Sequence, residues 1–119
     1  MHVIKGIGID MVEMDRIKQS IKRNPRFVQR ILTRAEHLRF NELSEQRQIE
    51  YLSGRFAAKE AAGKAMGTGI GQLSFQDIEV LSTESGAPEM KVKGYDQLKT
   101  WISISHSSDH AIAQVVLEE

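Results

Sequence analysis

Residues 55–66 read RFAAKEAAGKAM, and the rest of the chain can be organised around this stretch. Alanine, lysine, glutamate and methionine favour helix formation, so the stretch predicts a helix. At a helical period most of its alanines share one side, where they permit close packing against another element. The other side carries Phe56, Glu60, Gly63 and Lys64. Glu60 and Lys64 are one turn apart, so they form either an ordinary surface ion pair or part of a chemical site, with Gly63 leaving room beside them.

The helix is expected to begin well before this stretch. Ser44 is suited to cap a helix, and the apolar series after it contains no proline, which predicts one helix over about 45–66. Gly54 weakens the middle of this helix by about 1 kcal/mol relative to alanine, which suggests that another backbone or a ligand comes close there. Gly67 suits a left-handed cap at the carboxyl end. The alternating glycines of 67–71 also resemble a phosphate-binding nest, but they lack the strand-then-helix context of nucleotide motifs.

Composition restricts the class of protein. The chain has 119 residues, enough for one domain over 1–119, and its 16 basic and 16 acidic residues balance, which argues against general nucleic-acid binding. It contains no cysteine, so disulfides, thiolate metal sites and a cysteine nucleophile are excluded. The amino terminus does not resemble a signal peptide, and no later segment is long enough to cross a bilayer. The sequence therefore predicts a cytoplasmic protein without membrane association.

The chain opens with a strand whose two faces differ. One face carries Val3, Ile7, Ile9 and Met11, and the other carries Gly6, Gly8 and Asp10. A glycine face allows close approach, so the strand either packs tightly against a helix, with Asp10 capping the next helix, or leaves space for a ligand. Apolar residues at helical spacing then predict a helix over about 13–23.

A basic surface comes after this helix. Asn24-Pro25 interrupts the helical pattern, and Pro25 can begin a new turn. If the helical sense continues past the junction, one stripe contains Arg16, Ser20, Arg23, Phe27, Arg30 and Arg34. Arginines around an exposed aromatic favour docking of an acidic partner, whereas Phe27 turned into the core would leave only a solvated face.

The remaining segments predict a short helix and then strands. Thr33-Arg34-Ala35-Glu36 has the form of a capping box and predicts a helix ending near residue 42. After the long helix the pattern alternates, and residues 74–82 and 89–93 predict two strands joined by a turn. Residues 95–100 predict a short helix or a turn.

A final hairpin is predicted from 101–106 and 111–117, joined at 107–109. His106 ends the first of these strands on the same side as Ile102 and Ile104. A histidine there is more often a hydrogen-bonded structural residue than a catalyst. The serines on either side of it face the opposite way, which argues against a hydrolase triad.

Three separated segments together resemble one family. They are Gly6-Ile7-Gly8-Ile9-Asp10 with Glu13 and Arg16, the run from Gly54 to Ala61 with Lys64 and Gly67-Thr68-Gly69, and Ser103-Ile104-Ser105-His106. These segments resemble the signature of bacterial holo-acyl-carrier-protein synthase, over essentially the whole chain. The resemblance implies a single α+β domain of the 4′-phosphopantetheinyl transferase type, with an antiparallel sheet and a long helix packed on it.

The resemblance also implies an activity and an assembly. Members of the family transfer 4′-phosphopantetheine from coenzyme A to a serine of apo acyl carrier protein, with magnesium, for fatty acid biosynthesis and lipid metabolism. They form homotrimers with active sites at subunit interfaces. The glycine face of the first strand, on this interpretation, is the face that requires a neighbour or receives the pyrophosphate.

Individual positions acquire roles from the resemblance. Asp10 and Glu60 match the metal-binding carboxylates of the family, and with Lys64 they are the expected catalytic residues, because two carboxylates, substrate phosphate and water suit magnesium. The positions expected around coenzyme A are Arg55, Lys64, Gly67, Gly69 and His106. The positions expected to bind the carrier protein are Arg16, Arg23, Phe27 and Arg30, although Ser20 departs from the apolar residue expected among them.

Two other functions fit the residues. The basic stripe is consistent with a non-catalytic oligomeric module that binds an acidic helical partner. The two carboxylates are consistent with a metal-dependent phosphohydrolase.

Overall fold

The computed structural model describes residues 2–70 and 73–119. The elements, in chain order, are β1 (Ile4–Glu13), α1 (Met14–Arg23), α2 (Phe27–Ile31), α3 (Arg34–Asn41), α4 (Glu45–Met66), a 3₁₀ turn (Phe75–Asp77), β2 (Ile78–Ser82), β3 (Pro88–Val92), β4 (Lys99–His106) and β5 (His110–Glu118). Along these residues no helix combines the length and the apolar character that a membrane crossing requires.

Two antiparallel sheets flank the long helix. One sheet has the strand order β1-β5-β4 and the other is the β2-β3 hairpin. The main apolar core lies where alanines of α4 meet inward side chains of both sheets, and a second cluster lies where α4 meets α1, α2 and α3. The predicted α+β fold is confirmed.

The long helix has the predicted bounds. It begins after Ser44, whose side chain makes no cap hydrogen bond, and ends at Gly67, which has φ of 76° and donates its N–H to the Lys64 carbonyl. A Cβ on Gly54 would lie 3.1 Å from Ile104 Cγ2 and 3.2 Å from His106 Nε2. The close neighbour expected at Gly54 is therefore strand β4.

The glycine face of β1 is covered by the chain itself. A Cβ on Gly6 would lie 1.8 Å from the Ala65 carbonyl oxygen, and one on Gly8 would lie 1.9 Å from the Ala61 carbonyl oxygen. Only glycine permits this contact between strand and helix. The prediction that this face is open to a ligand or a neighbouring subunit is therefore wrong, and the alternative of tight helix packing is confirmed. Asp10 does not cap α1, because Glu13 occupies the cap position.

The opposite face of β1 is the exposed one. Ile7 is 61% exposed, Ile9 53% and Met11 63%. Exposed apolar residues continue along the same sheet at Trp101 and Ile112. A patch of this kind on a small domain indicates an interaction surface.

The turn between α1 and α2 breaks the predicted basic stripe into two parts. The Asn24 side chain accepts a hydrogen bond from the Arg26 N–H at 3.0 Å, and α2 begins only at Phe27. Helical geometry therefore does not continue from α1 into α2. The capping box at Thr33 and Glu36 is confirmed by both of its hydrogen bonds.

The last third differs from prediction at its element boundaries. The strand expected from residue 74 begins at Ile78, because Ser74 and Asp77 form a capping box around the 3₁₀ turn. Residues 95–100 form no helix. They turn and then enter β4 at Lys99. The turn predicted at 107–109 joins β4 to β5, as expected.

Candidate active site

Asp10, Glu60 and Lys64 meet at the junction of β1 and α4. The Lys64 ammonium donates to an Asp10 carboxylate oxygen at 3.1 Å and to the Ile9 carbonyl at 2.9 Å. The Lys64 side chain is 54% exposed and that of Asp10 19%. Lys64 therefore pairs across elements with Asp10 and not, as its spacing suggested, with Glu60.

Glu60 experiences the charge of Asp10. Its pKa is raised, first by burial and then by the Asp10 carboxylate, and Lys64 opposes this only in part. Two carboxylates held close enough to repel one another are stabilised by a cation between them. This oxygen donor set fits magnesium, which takes one or two carboxylates and completes its shell with phosphate and water. In 2–70 and 73–119 no group of three or more His, Asp or Glu side chains is arranged to hold a metal, so the described residues would supply only part of the shell of such an ion.

A second polar site contains Arg55 and His106. Both line a cleft of about 220 Å³, together with Arg39, Arg47 and Tyr51. Arg55 is 9% exposed, and its guanidinium donates to the Val80 carbonyl and the Ser82 hydroxyl.

The ring of His106 lies 3.0 Å, through Nε2, from the Glu50 carbonyl oxygen. The Arg55 guanidinium carbon lies 4.1 Å from the centre of the Tyr51 ring. Burial lowers the pKa of Arg55, and Tyr51 and Glu36 partly oppose that change. Sequence reasoning missed Arg39 and Arg47, because their side chains reach this cleft from α3 and α4 and no motif marks them.

The two sites lie on opposite sides of α4. Arg55 and Lys64 are nine residues apart on one helix, which is two and a half turns and about 13 Å along the axis. Side chains half a turn out of phase cannot reach one small substrate group from the same side. A single chain therefore does not bring together all the predicted site residues.

The glycine segment after α4 packs on the helix. The Gly69 N–H donates to the Gly63 carbonyl at 3.0 Å, and a Cβ on Gly63 would lie 2.9 Å from the Gly69 carbonyl carbon. The room beside Gly63 is thus occupied by the chain's own loop. The N–H groups of Gly67 and Gly69 both cap α4, and the third glycine of the predicted nest, Gly71, lies outside the described residues. Coenzyme A binding by Gly67 and Gly69 stays a prediction.

The basic stripe divides between two clefts. One cleft, of about 500 Å³, is lined by Arg16, Ser20, Arg23, Phe27 and Phe56. Phe27 is half-buried, and its ring centre lies 6.2 Å from that of Phe56, so it is neither a free anchor nor a full core residue. Arg30 and Arg34 instead line a second cleft, of about 690 Å³.

Sequence reasoning missed a buried ion pair next to Glu60 on α4. Lys59 and Glu36 are both fully buried, and the Lys59 ammonium donates to a Glu36 carboxylate oxygen at 2.6 Å. Burial lowers the pKa of Lys59, and Glu36 opposes that change. The only sequence signal was the capping box, which assigns Glu36 a local role.

Comparison with known proteins identifies the family. Residues 6–115 match the model of the 4′-phosphopantetheinyl transferase superfamily. The chain belongs to this family. The family predicted from the three sequence segments is confirmed.

Individual relatives give a narrower description. The chain is 54% identical to a holo-acyl-carrier-protein synthase of Oceanobacillus iheyensis, over 98% of both chains. It resembles the crystal structure of a holo-acyl-carrier-protein synthase of Bacillus anthracis in complex with coenzyme A (3′,5′-ADP). The TM-score is 0.91 and the identity 45%, over 98% of this chain and 97% of that one. The corresponding Helicobacter pylori structure in complex with coenzyme A gives a TM-score of 0.83 and 35% identity, over 93% of this chain and 98% of that one.

Proposed function

We propose that this chain is a holo-acyl-carrier-protein synthase that transfers 4′-phosphopantetheine from coenzyme A to a serine of apo acyl carrier protein. The observation that carries the proposal is the cluster of Asp10, Glu60 and Lys64, in a family member whose relatives bear that name. In the reaction the serine hydroxyl oxygen bonds to the phosphorus of the phosphopantetheine group, the P–O bond to 3′,5′-ADP breaks and 3′,5′-ADP leaves, and the serine proton passes to a water or carboxylate acting as general base. We place this activity in fatty acid biosynthesis, and a cytoplasmic location stays a prediction.

Asp10 and Glu60 are the residues that would hold magnesium. Bound there, the ion would supply positive charge beside the pyrophosphate. Lys64 contributes a second positive charge at the same point and orients the Asp10 carboxylate by its 3.1 Å contact.

The test is to incubate apo carrier protein with coenzyme A, with and without magnesium, and to follow intact mass. Addition of the phosphopantetheine mass only with magnesium is expected. Hydrolysis of coenzyme A without modification of the carrier would favour a phosphohydrolase, and no reaction would favour a binding module.

The complete site is proposed to lie between subunits of a homotrimer. Support comes from the separation of the Arg55 and His106 cleft from the Asp10 cluster across α4. Support also comes from the exposed face of β1, on which Ile7, Ile9 and Met11 lie uncovered in one chain. Packing of this face against another copy would bury the patch, and rotation about a symmetry axis would bring the Arg55 side of one chain to the Glu60 side of the next.

Mixed oligomers test this arrangement. Arg55→Ala and Glu60→Ala chains should each be inactive alone. After dissociation and reassembly together, about a quarter of sites should regain both intact halves if the halves come from different chains. Mixing two preparations of Glu60→Ala is the matched control and should recover nothing. Full activity of the wild-type protein as a monomer in sedimentation would overturn the interface arrangement.

The carrier protein is proposed to dock on α1 and α2 through Arg16, Arg23, Phe27 and Arg30. The exposed arginines suit an acidic partner, and the half-buried Phe27 offers part of its ring to the same cleft. Arg16→Glu or Arg30→Glu should raise the KM for the carrier about tenfold and reduce its salt dependence, with the KM for coenzyme A unchanged. Phe27→Ala should weaken docking further. Loss of fold in that variant would assign Phe27 to the core instead.

A further inference from the structure

The element α2 cannot hold its position by itself. It has five residues, Phe27–Ile31, whereas isolated helices shorter than about 12 residues are marginal in water. Its last carbonyl groups find no donor inside so short a helix and require donors from elsewhere. Those donors come from two side chains that are distant in sequence.

Gln76, in the 3₁₀ turn before β2, supplies one set of donors. Its side-chain amide nitrogen lies 2.8 Å from the Gln29 carbonyl oxygen, 2.8 Å from that of Leu32 and 3.3 Å from that of Arg30. Only the NH₂ group of the amide can face three carbonyl oxygens, so this orientation of the side chain follows from its surroundings. Gln76 is exposed, and its contacts are to the backbone of the α2 end.

Lys59, on α4, supplies the remaining donor. Its ammonium lies 2.7 Å from the Ile31 carbonyl, 2.6 Å from the Glu36 carboxylate and 3.1 Å from the Phe75 carbonyl, so all three of its N–H groups are used. The carbonyls of residues 29–32 are thus all held from outside α2. Lys59 directly precedes Glu60, so the same contact links α2 to the metal-binding part of α4.

We propose that Gln76 and Lys59 are positioning residues for carrier recognition, because they hold the carbonyl end of α2 and thereby fix Phe27 and Arg30 relative to Glu60. This proposal rests on the proposed docking of the carrier on α1 and α2. Neither residue needs to touch the carrier. Gln76 is the informative one to change, because it lies outside both apolar cores and its loss should leave the sheets and α4 intact.

The experiment compares Gln76→Met with Gln97→Met, a change of the same type in the exposed turn between β3 and β4. Gln76→Met keeps the length of the side chain and adds no charge, but it removes the donor. Loss of a net stabilisation typical of hydrogen bonds should raise the KM for the carrier about fivefold to tenfold, with kcat and the KM for coenzyme A within about twofold of wild type. Hydrogen exchange should accelerate at the backbone amides of Arg30 and Leu32. Gln97→Met should change none of these quantities.

A double variant separates positioning from a general structural effect. In a Phe27→Ala background Gln76→Met should raise the carrier KM by less, because one of the two side chains that Gln76 positions is absent. Equal effects in both backgrounds, or a parallel loss of kcat and both KM values with early thermal unfolding, would overturn the proposal. If Arg16→Glu raises the carrier KM and Gln76→Met does not, the docking surface stands and positioning is wrong. If Arg16→Glu also has no effect, the docking surface itself is wrong.

Discussion

Two lysine–carboxylate pairs have their lysines on α4 and differ in how many of the lysine's N–H groups the protein itself satisfies. Lys59 with Glu36 is completely buried, and every N–H of the ammonium has a protein acceptor. Lys64 with Asp10 is partly open, and Glu60 stands beside it with a raised pKa. A pair whose N–H groups all have protein acceptors stabilises the fold and has no free donor for a ligand. An unsaturated pair held by the same rigid helix retains capacity for a metal and a phosphate.

The largest expected effect concerns the open cluster. Asp10→Asn and Glu60→Gln keep the shape of each side chain and remove a charged oxygen ligand. Either change should lower the transfer rate by at least about 10²-fold to 10³-fold, since charge stabilisation at the reacting phosphate is lost. Calorimetric titration of magnesium in the presence of coenzyme A should show weaker binding, while circular dichroism stays unchanged. Near-normal transfer by both variants at limiting magnesium would remove the distinction between the two pairs.

Lysine changes sharpen the comparison, because the two residues are five positions apart on one helix. Lys59→Met leaves the Glu36 charge buried without its partner and should cost about 3 to 5 kcal/mol of unfolding free energy. Lys64→Met alters a pair that is more than half exposed on the lysine side and should change the unfolding free energy by less than about 0.5 kcal/mol. Urea denaturation of both variants measures this. Similar losses in the two variants would show that burial does not separate the pairs.

Activity should order the same two variants differently. Lys64→Met should lower transfer about tenfold to a hundredfold, because a positive charge beside the pyrophosphate is removed. The Lys59→Met enzyme that remains folded at low temperature should keep a near-normal kcat, with a raised KM for the carrier. Initial rates at 10 °C, at saturating coenzyme A and varied carrier concentration, distinguish the two. A kcat loss in Lys59→Met as large as that in Lys64→Met would assign both lysines to the reaction.

Local features of the sequence predicted most of the fold. The bounds of α4 follow from helix propensity, the absence of proline and the left-handed glycine at its end. The capping box at Thr33 and Glu36 is also local and was predicted correctly. The exceptions are contacts between distant segments. The Lys59–Glu36 pair joins residues 23 positions apart, and only the packing of α3 on α4 determines that they meet.

The first strand shows where pattern alone fails. Alternation identified both faces of β1 correctly, but it left open whether the glycine face packs against a helix or receives a ligand or another subunit. Gly6 and Gly8 receive the backbone of α4 at Ala65 and Ala61. A missing side chain signals close approach but does not identify the approaching group. The division of the predicted site residues across α4 follows from the nine-residue spacing of Arg55 and Lys64 on the predicted helix. The resemblance did not use this signal, because it named positions without the side of the helix on which each one lies.

The smallest expected effect tests whether the ionised Glu60 carboxylate, which is partly buried and near Asp10, destabilises the fold when no metal is bound. The pKa of Glu60 is raised above its ordinary value of 4.5, so the folded chain binds that proton more tightly than the unfolded chain does. Its contribution to stability is therefore present below about pH 4.5 and is lost as the pH rises through the folded pKa. In EDTA at pH 7.5, Glu60→Gln should melt at a higher temperature than wild type, and the difference should vanish near pH 4.

The matched control for this measurement is Glu84→Gln, which changes an exposed carboxylate in the β2-β3 turn and should leave the melting temperature unaltered at both pH values. Magnesium with coenzyme A should stabilise wild type more than Glu60→Gln, because the variant lacks one of the carboxylates through which the folded state would bind the ion. A Glu60→Gln protein that melts earlier than wild type at pH 7.5 would mean that the ionised carboxylate is already satisfied by the protein. The Glu60 site would then be a structural one, like the Lys59 pair beside it.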